Sequence, residues 1–139
     1  MKQKYDDRVE FLAVYVREAH PIGGWRMESN DRVGVAAAQP KSNFQRTEVA
    51  TKCHDLLEMN MPMLVDEIDD RVGRAYSGMP DRLYVIDREG KVAFKGGRGP
   101  FRFSPGEMEQ ALIMLLLDEG PAAKDAPPDV PIPQRGARP

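Results

Sequence analysis

The longest apolar run of the chain is VEFLAVYV, residues 9–16, and only Glu10 interrupts it. A run this rich in β-branched and aromatic side chains predicts a strand that is buried on both faces of a sheet. The charged cluster REAH follows, and then Gly23-Gly24, neither of which continues a strand. We therefore expect a central strand over Val9–Val16 with a loop at its carboxyl end.

The middle of the chain predicts a loop, a helix and a strand. Residues 26–42 have no sustained period and predict a long loop. A helix is predicted over about Phe44–Glu58, with Ser42 or Asn43 as its cap. The stripe expected to pack on the sheet consists of Val49, Ala50, Cys53, Leu56 and Leu57. Met63–Asp66 then predicts a short buried strand.

The pattern after this strand predicts a short helix, a hairpin and a long helix. Asp69 or Asp70 should cap a helix over about Arg71–Tyr76. Two strands at Leu83–Asp87 and Val92–Lys95 should form an antiparallel hairpin, with Gly90 at a positive-φ position of the turn. The order of elements predicts an α/β fold with a parallel part and an antiparallel edge.

The last helix is predicted from Pro105 to Asp118, where SPGE has the form of a capping box with proline at the first helical position. It is apolar nearly all round, which predicts deep burial or contact with a second surface. The following segment is rich in proline and poor in large apolar residues. We predict one domain over residues 1–118 and a disordered tail over residues 119–139.

Composition narrows the function classes. The net charge of −2 gives no electrostatic reason to expect nucleic acid or an anionic membrane as a partner. No apolar run approaches the ~20 residues that span a bilayer, and the first residues do not form a signal peptide, so a cytoplasmic protein is expected. The single cysteine, Cys53, excludes an internal disulfide, a Cys-x-x-Cys pair and a cysteine-rich zinc site.

Glu18 and His20 are the candidate chemical groups. They lie just past the predicted central strand, where α/β sheets place their ligand crevice. Side chains two apart in an extended segment point the same way, so a carboxylate should lie beside an imidazole. Such a pair suits proton transfer near neutral pH. Spacing alone favours the alternative, a solvated loop whose ion pair has no function.

Three separated motifs resemble those of the iodothyronine deiodinase family. They are YVREAH followed by Gly24-Trp25, then MPDRLYVI at residues 79–86, and KGGRGP at residues 95–100. The resemblance covers about Tyr5 to Leu117. It implies a thioredoxin-like mixed sheet of the peroxiredoxin type flanked by helices, and a thiol or selenol oxidoreductase activity.

The resemblance also implies residue roles. His20 would be the catalytic histidine with Glu18 beside it, and Arg98 would bind a substrate carboxylate or phenolate. Pro80 would be the loop proline that faces the nucleophile, a position where a cis peptide bond is one option, and Trp25 would shape the wall of the site. Without the resemblance, these last three would be a surface charge, a turn proline and a partly buried anchor.

One departure from the family is large. In the family, the cysteine or selenocysteine nucleophile follows a strand upstream of the segment that matches Val9, and here only eight residues precede Val9. The resemblance thus implies that the first strand and helix are missing, together with the nucleophile. Cys53 is no obvious replacement, because it falls on the predicted apolar stripe and should be a buried thiol with a raised pKa.

Three functions remain open. The first is a deiodinase-like enzyme that acts on an iodinated phenol or a peroxide with an external thiol reductant, without metal or other cofactor, and inactive as this chain if the nucleophile is absent. The second is a non-catalytic thioredoxin-like domain that binds an aromatic acid or a partner segment. The third is a structural subunit completed by a partner's strand, and a homodimer is also left open.

Overall fold

The structure is a computed structural model that describes residues 1–24, 28–32, 34 and 36–120. Trp25 and residues 121–139 lie outside the described residues, so the predicted disorder of the tail stays a prediction. The helices are α1 (Lys2–Tyr5), α2 (Glu28–Arg32), α3 (Asn43–Leu56), α4 (Arg71–Ala75) and α5 (Pro105–Asp118). The strands are β1 (Ala13–Tyr15), β2 (Met63–Val65), β3 (Tyr84–Ile86) and β4 (Val92–Lys95). The predicted α/β class is confirmed.

The strands form two separate ladders. β1 pairs with β2 in parallel, with Val14 opposite Leu64. β3 pairs with β4 in antiparallel orientation, and Gly90 occupies the turn with φ +80°, as predicted. The described residues contain no ladder between the two pairs, so a single thioredoxin-like sheet stays a prediction.

The prediction of a long strand buried on both faces is wrong. The regular strand is only three residues long, and Leu12 and Val14 expose 52% and 45% of their surface. Leu64, the β2 partner of Val14, exposes 53%. The apolar run is covered on one side only, because Val9 and Phe11 turn toward the core while Leu12 and Val14 do not.

The core lies between the hairpin and α5. Its buried residues are Tyr5, Val85, Leu112 and Leu116, and Val9, Phe11, Phe94, Met108 and Leu115 pack against them. α1 is tied to α5 by Tyr5, whose hydroxyl donates to Glu109 at 2.8 Å. α5 begins as predicted, with the Ser104 hydroxyl accepting the N–H of Glu107. In the described part of the chain, no helix is long and apolar enough to cross a membrane.

α5 and the segment before α3 differ from the predictions in detail. α5 buries one face, while Met114 and Leu117 expose 60% and 69% of their surface, so deep burial all round is not observed. The predicted loop over residues 26–42 contains the short helix α2, whose sequence ESNDR carries only polar side chains and therefore lacks an apolar periodicity.

The helix α3 is confirmed, with Ser42 as its cap, but its predicted stripe is rotated. The buried residues are Arg46 and Ala50, whereas Leu56 and Leu57 expose 47% and 56% of their surface. A stripe predicted from apolar residues alone leaves Arg46 outside. The buried face of α3 differs from the predicted one because the guanidinium of Arg46 contacts a carbonyl and a carboxylate, and a charged group with such partners can be buried.

Candidate functional site

The turn after β1 begins with a hydrogen bond inside the predicted motif. The Tyr15 hydroxyl, on the last residue of β1, donates to a carboxylate oxygen of Glu18. Both side chains are half-buried. Tyr15 therefore restricts the orientation of Glu18, and it is a residue that the sequence analysis did not single out. The three-residue spacing between Tyr15 and Glu18 indicates this contact only once β1 is known to end at Tyr15.

Glu18 and His20 lie within electrostatic range of each other. Burial raises the pKa of the Glu18 carboxyl above its usual value, and the nearby imidazole of His20 lowers it by a smaller amount. His20 itself is half-buried. The arrangement gives a carboxyl group that holds its proton more readily than an exposed glutamate, next to the imidazole of His20.

Cys53 lies on α3, close enough for the charge of Glu18 to act on it. Burial raises the pKa of its thiol, the Glu18 carboxylate raises it further, and Lys52 opposes both. The thiol is half-buried rather than buried. The predicted direction of the pKa is thus confirmed. Such a thiol is a poor nucleophile at neutral pH, because the reactive form is the thiolate.

Asp66 follows β2 and organises the neighbouring wall. Its buried carboxylate accepts the N–H groups of Val72 and Gly73 at 3.1 and 2.8 Å, at the start of α4. Burial works to raise the pKa of Asp66, but these backbone donors, that of Glu67 and the charge of Arg46 lower it below its usual value. Asp70 was one predicted cap of α4, and its side chain does not cap the helix.

The carboxylate of Asp69, the other predicted cap, accepts the N–H of Arg71 at 3.1 Å. Arg46 binds the same acidic loop, with its guanidinium 2.8 Å from Asp70 and 2.6 Å from the carbonyl of Glu67. Arg46 exposes only 1% of its surface. The carboxylates after β2 therefore hold α4 and α3 together, and among the described residues no group of three or more His, Cys, Asp and Glu side chains is arranged to bind a metal.

The end of β1 lies against the segment that leads to Pro80. A Cβ added to Gly73 or Gly78 would lie 3.2 or 3.6 Å from the side chain of Val16, the residue that follows β1. These glycines allow the close approach because they have no side chain to displace. The Met79–Pro80 peptide bond is cis. The turn with Pro80 is thus next to Val16, which links β1 to Glu18 and His20.

The turn with Pro80 also contacts the loop with Arg98. Arg82 donates to the carbonyl oxygens of Ser77 and Gly96 at 3.2 and 3.0 Å, which ties the two segments together. A Cβ at Gly99 would lie only 1.7 Å from the Asp81 carboxylate, so that carboxylate is packed directly on the loop backbone. Arg98 itself is exposed.

The predicted site residues fall into two groups. Glu18 and His20 are brought together at the end of β1. Pro80 and Arg98 lie on adjacent, mutually bonded segments. A substrate held between Arg98 and His20 stays a prediction. Trp25 lies outside the described residues, so its role in the wall of the site stays a prediction as well.

Comparison with known proteins shows which family this chain matches. A sequence model of the family described as iodothyronine deiodinase matches residues 1–115. The chain is 30% identical over 115 residues to a type II iodothyronine deiodinase of Neoceratodus forsteri, covering 79% of this chain and 41% of that protein. It is 34% identical over 105 residues to a thyroxine 5-deiodinase of Gallus gallus, covering 73% of this chain and 38% of that protein. The chain therefore spans about two fifths of the length of the curated relatives it matches.

Proposed function

This chain belongs to the iodothyronine deiodinase family, and on that premise we propose that it forms part of a deiodinase-like thiol or selenol oxidoreductase. The observation that carries the proposal is the group Tyr15, Glu18 and His20 at the carboxyl end of β1. Its carboxyl group has a raised pKa and an imidazole within electrostatic range. Such a group can hold and deliver a proton at a fixed place.

The proposed reaction is reductive dehalogenation of an iodinated phenol. A thiolate or selenolate attacks the iodine, the carbon–iodine bond breaks, and the ring carbon takes a proton while a sulfur–iodine or selenium–iodine bond forms. Two external thiols then reduce this bond, which releases iodide and yields a disulfide and the free nucleophile. His20 supplies the proton to the ring carbon, and Glu18, oriented by Tyr15, stabilises the charged imidazole before the transfer.

The remaining site residues would bind the substrate within a thioredoxin-like fold. Arg98 is exposed on its loop and has a planar set of donors that suits a carboxylate or phenolate. Pro80 lies on the turn to which this loop is bonded, and Trp25 would form part of the wall. A peroxide is the second substrate class, because the same nucleophile and proton donor would cleave an oxygen–oxygen bond.

The proposed reaction needs a thiolate or selenolate nucleophile. Cys53 is the one cysteine of these 139 residues, and it is half-buried with a raised pKa. We propose that Cys53 is not the nucleophile, and that a chalcogen outside these residues acts in a longer protein. This fits a chain that spans about two fifths of its relatives' length.

A second candidate is a non-catalytic thioredoxin-like domain that binds an aromatic acid or completes its sheet with a partner's strand. Two observations favour it. The raised pKa of Cys53 makes it a poor nucleophile, as expected of a domain without catalysis. The exposed apolar side chains of the two short ladders offer a surface that a partner's strand could cover. In this case the pair Glu18 and His20 would bind a ligand without turning it over.

Intact mass and turnover, measured on one natively expressed sample, separate the two candidates. A mass above the 15.6 kDa of this chain, with reduction of an iodinated phenol or a peroxide that alkylation abolishes, supports the enzyme. Cys53→Ser should keep that turnover. A mass of 15.6 kDa without turnover contradicts the enzyme for this chain and favours the binding domain.

A further inference from the structure

The segment between β4 and α5 presents two aromatic side chains to solvent. We name residues 95–103, with the sequence KGGRGPFRF, the Phe101 loop. Phe101 exposes 98% of its surface and Phe103 exposes 45%. Single exposed apolar residues are common, but an almost completely exposed phenylalanine with a second one two positions away forms a local apolar tip.

The backbone under this tip is tightly built. The N–H of Arg102 donates to the Arg98 carbonyl at 3.2 Å, and the N–H of Phe103 donates to the Pro100 carbonyl at 3.4 Å. A Cβ at Gly97 would lie 2.4 Å from the Cβ of Arg102, so the Arg102 side chain is packed across the loop backbone. The Asp81 carboxylate packs on Gly99. Phe101 is therefore held outward by a fixed turn.

The charge of the Phe101 loop is opposite to that of the whole chain. The loop carries Lys95, Arg98 and Arg102 and no acidic residue, although the chain has a net charge of −2. Within the described part of the protein, neither Arg98 nor Arg102 forms a side-chain ion pair. The ammonium group of Lys95 lies 5.7 Å from the centre of the Tyr84 ring. The Phe101 loop thus combines three cationic residues with an exposed apolar tip.

We propose that the Phe101 loop docks on an anionic lipid bilayer, with Phe101 and Phe103 entering the interface and the three cations contacting lipid phosphates or carboxylates. Aromatic side chains favour the boundary between headgroups and acyl chains, and cations beside them add attraction to anionic lipids. A bilayer can receive the almost completely exposed ring of Phe101 without a preformed cavity.

This docking needs neither the nucleophile nor His20, and Arg98 is the residue that it shares with the proposed substrate site. The docking would affect access to the site, because Arg98 belongs to the same loop. An apolar iodinated or aromatic molecule concentrates in a bilayer, and the loop that contains Arg98 would lie at the surface from which that molecule leaves. The whole-chain charge hides this distribution, which is why composition alone favours no membrane partner.

Flotation of the full chain with lipid vesicles tests the proposal. Vesicles of phosphatidylcholine alone are compared with vesicles that also contain phosphatidylserine, at low and high salt. We expect binding to the anionic vesicles that weakens with salt, because exposed charges are screened. Arg102→Gln should lower the partition coefficient about fivefold, as the loss of one cation near an anionic surface does. Phe101→Ser should lower it about tenfold.

Phe44→Ser is the matched control. Phe44 exposes 71% of its surface on α3, but its neighbour one turn later is Glu48 rather than a cation. Its loss should leave vesicle binding unchanged, and both phenylalanine variants should keep the thermal midpoint of the wild type because neither ring is buried. The proposal is overturned by a wild type that does not bind anionic vesicles, which would leave a protein as the partner of the loop. Binding to neutral vesicles that is as strong as binding to anionic vesicles would also overturn the proposal. So would an equal loss of vesicle binding in Phe101→Ser and Phe44→Ser.

Discussion

At the scale of the residue, Glu18 links the two titratable groups beside it. Its carboxylate accepts the Tyr15 hydroxyl, it is within electrostatic range of His20, and its charge raises the pKa of Cys53. Burial is the main cause of the raised pKa of Glu18 itself. Changing this one side chain should therefore alter both stability and thiol reactivity.

We expect Glu18→Gln to become relatively more stable than the wild type as the pH rises. The folded-state pKa of Glu18 is raised by burial, so the wild type has its full stability below the unfolded pKa of about 4.3 and loses some as the pH rises through the folded value. Glutamine does not titrate, so the difference in the free energy of unfolding should grow with pH and then level off. Because Glu18 is only half-buried, screening by solvent makes this difference in the free energy of unfolding smaller than it would be for a fully buried carboxyl group. Urea unfolding at pH 4 and pH 8 measures it.

Glu48→Gln, which removes an exposed carboxylate from α3, is the control for the loss of one charge. A difference between Glu18→Gln and wild type that is the same at both pH values, or that shrinks at pH 8, would contradict the account of a buried carboxylate.

Alkylation of Cys53 gives a second test at this scale. Its thiol has a raised pKa from burial and from Glu18, so iodoacetamide should label it more slowly at pH 8 than it labels a free cysteine. Glu18→Gln should accelerate labelling several-fold, because it removes the nearby negative charge. Lys52→Gln should slow it, because Lys52 favours the thiolate. Labelling that responds to neither change would show that Cys53 does not sense these charges.

The residues of the site were only partly predictable. Spacing within an extended segment was enough to expect Glu18 beside His20. The hydrogen bond from Tyr15 required knowledge of where β1 ends, because a longer strand would have directed Tyr15 and Glu18 to opposite faces. Arg46 was missed for a different reason: patterns of apolar residues place arginine outside, and only the acidic loop of another segment makes its burial favourable.

At the scale of the element, Asp66 should stabilise α4 in a pH-dependent manner. Burial opposes its ionisation, but backbone donors and Arg46 hold its pKa below the usual value, so its contribution is present above about pH 4 and is lost as the pH falls through the folded pKa. We expect Asp66→Asn to cost about 1–2 kcal/mol at pH 7 and much less in acid. Chemical unfolding at the two pH values measures this.

Asp69→Asn is the control for Asp66. Asp69 is exposed and its carboxylate accepts the N–H of Arg71 at 3.1 Å, so its replacement should cost less at pH 7. Equal costs for the two variants, or a cost of Asp66→Asn that grows in acid, would contradict the role of Asp66 as the cap of α4.

Two glycines provide a matched pair for the loop that holds Arg98. Gly99→Ala would place a methyl group on the Asp81 carboxylate and should destabilise the protein by about 1–3 kcal/mol. Gly106→Ala, in the first turn of α5, meets nothing within 4 Å and should stabilise it by about 0.5–1 kcal/mol. Thermal melting shows whether the two variants change the stability in opposite directions, as expected. A Gly99→Ala variant with the thermal stability of the wild type would show that the loop does not pack on Asp81 as described.

The order of elements could be predicted better than their packing. The hairpin, its turn at Gly90 and the cap of α5 were predictable because short-range turn and cap chemistry fixes them. The length of β1 was not predictable from its apolar run, since burial of each face depends on which other elements cover it. The same is true of α3, where the acidic loop after β2 decides which face turns inward.

At the scale of the whole molecule, apolar surface remains exposed on both ladders. Val14 and Leu64 in the first ladder, and Leu12 just before it, expose about half of their surface. Ile86 and Val92 do so in the second ladder. Such surface favours association. The homodimer thus stays a prediction, and sedimentation equilibrium should give twice the 15.6 kDa of the chain. A mass of one chain at micromolar concentration would contradict it.

The central claim is that His20 is the proton donor of a deiodinase-like redox enzyme. It is tested most directly by iodide release from an iodinated phenol, with excess dithiothreitol, by the natively expressed protein and its His20→Ala variant. We expect release by the wild type that alkylation abolishes, and a rate lower by about 10²-fold or more in the variant. Equal release by the two proteins, or none by a wild type whose intact mass shows the complete polypeptide, would contradict the claim.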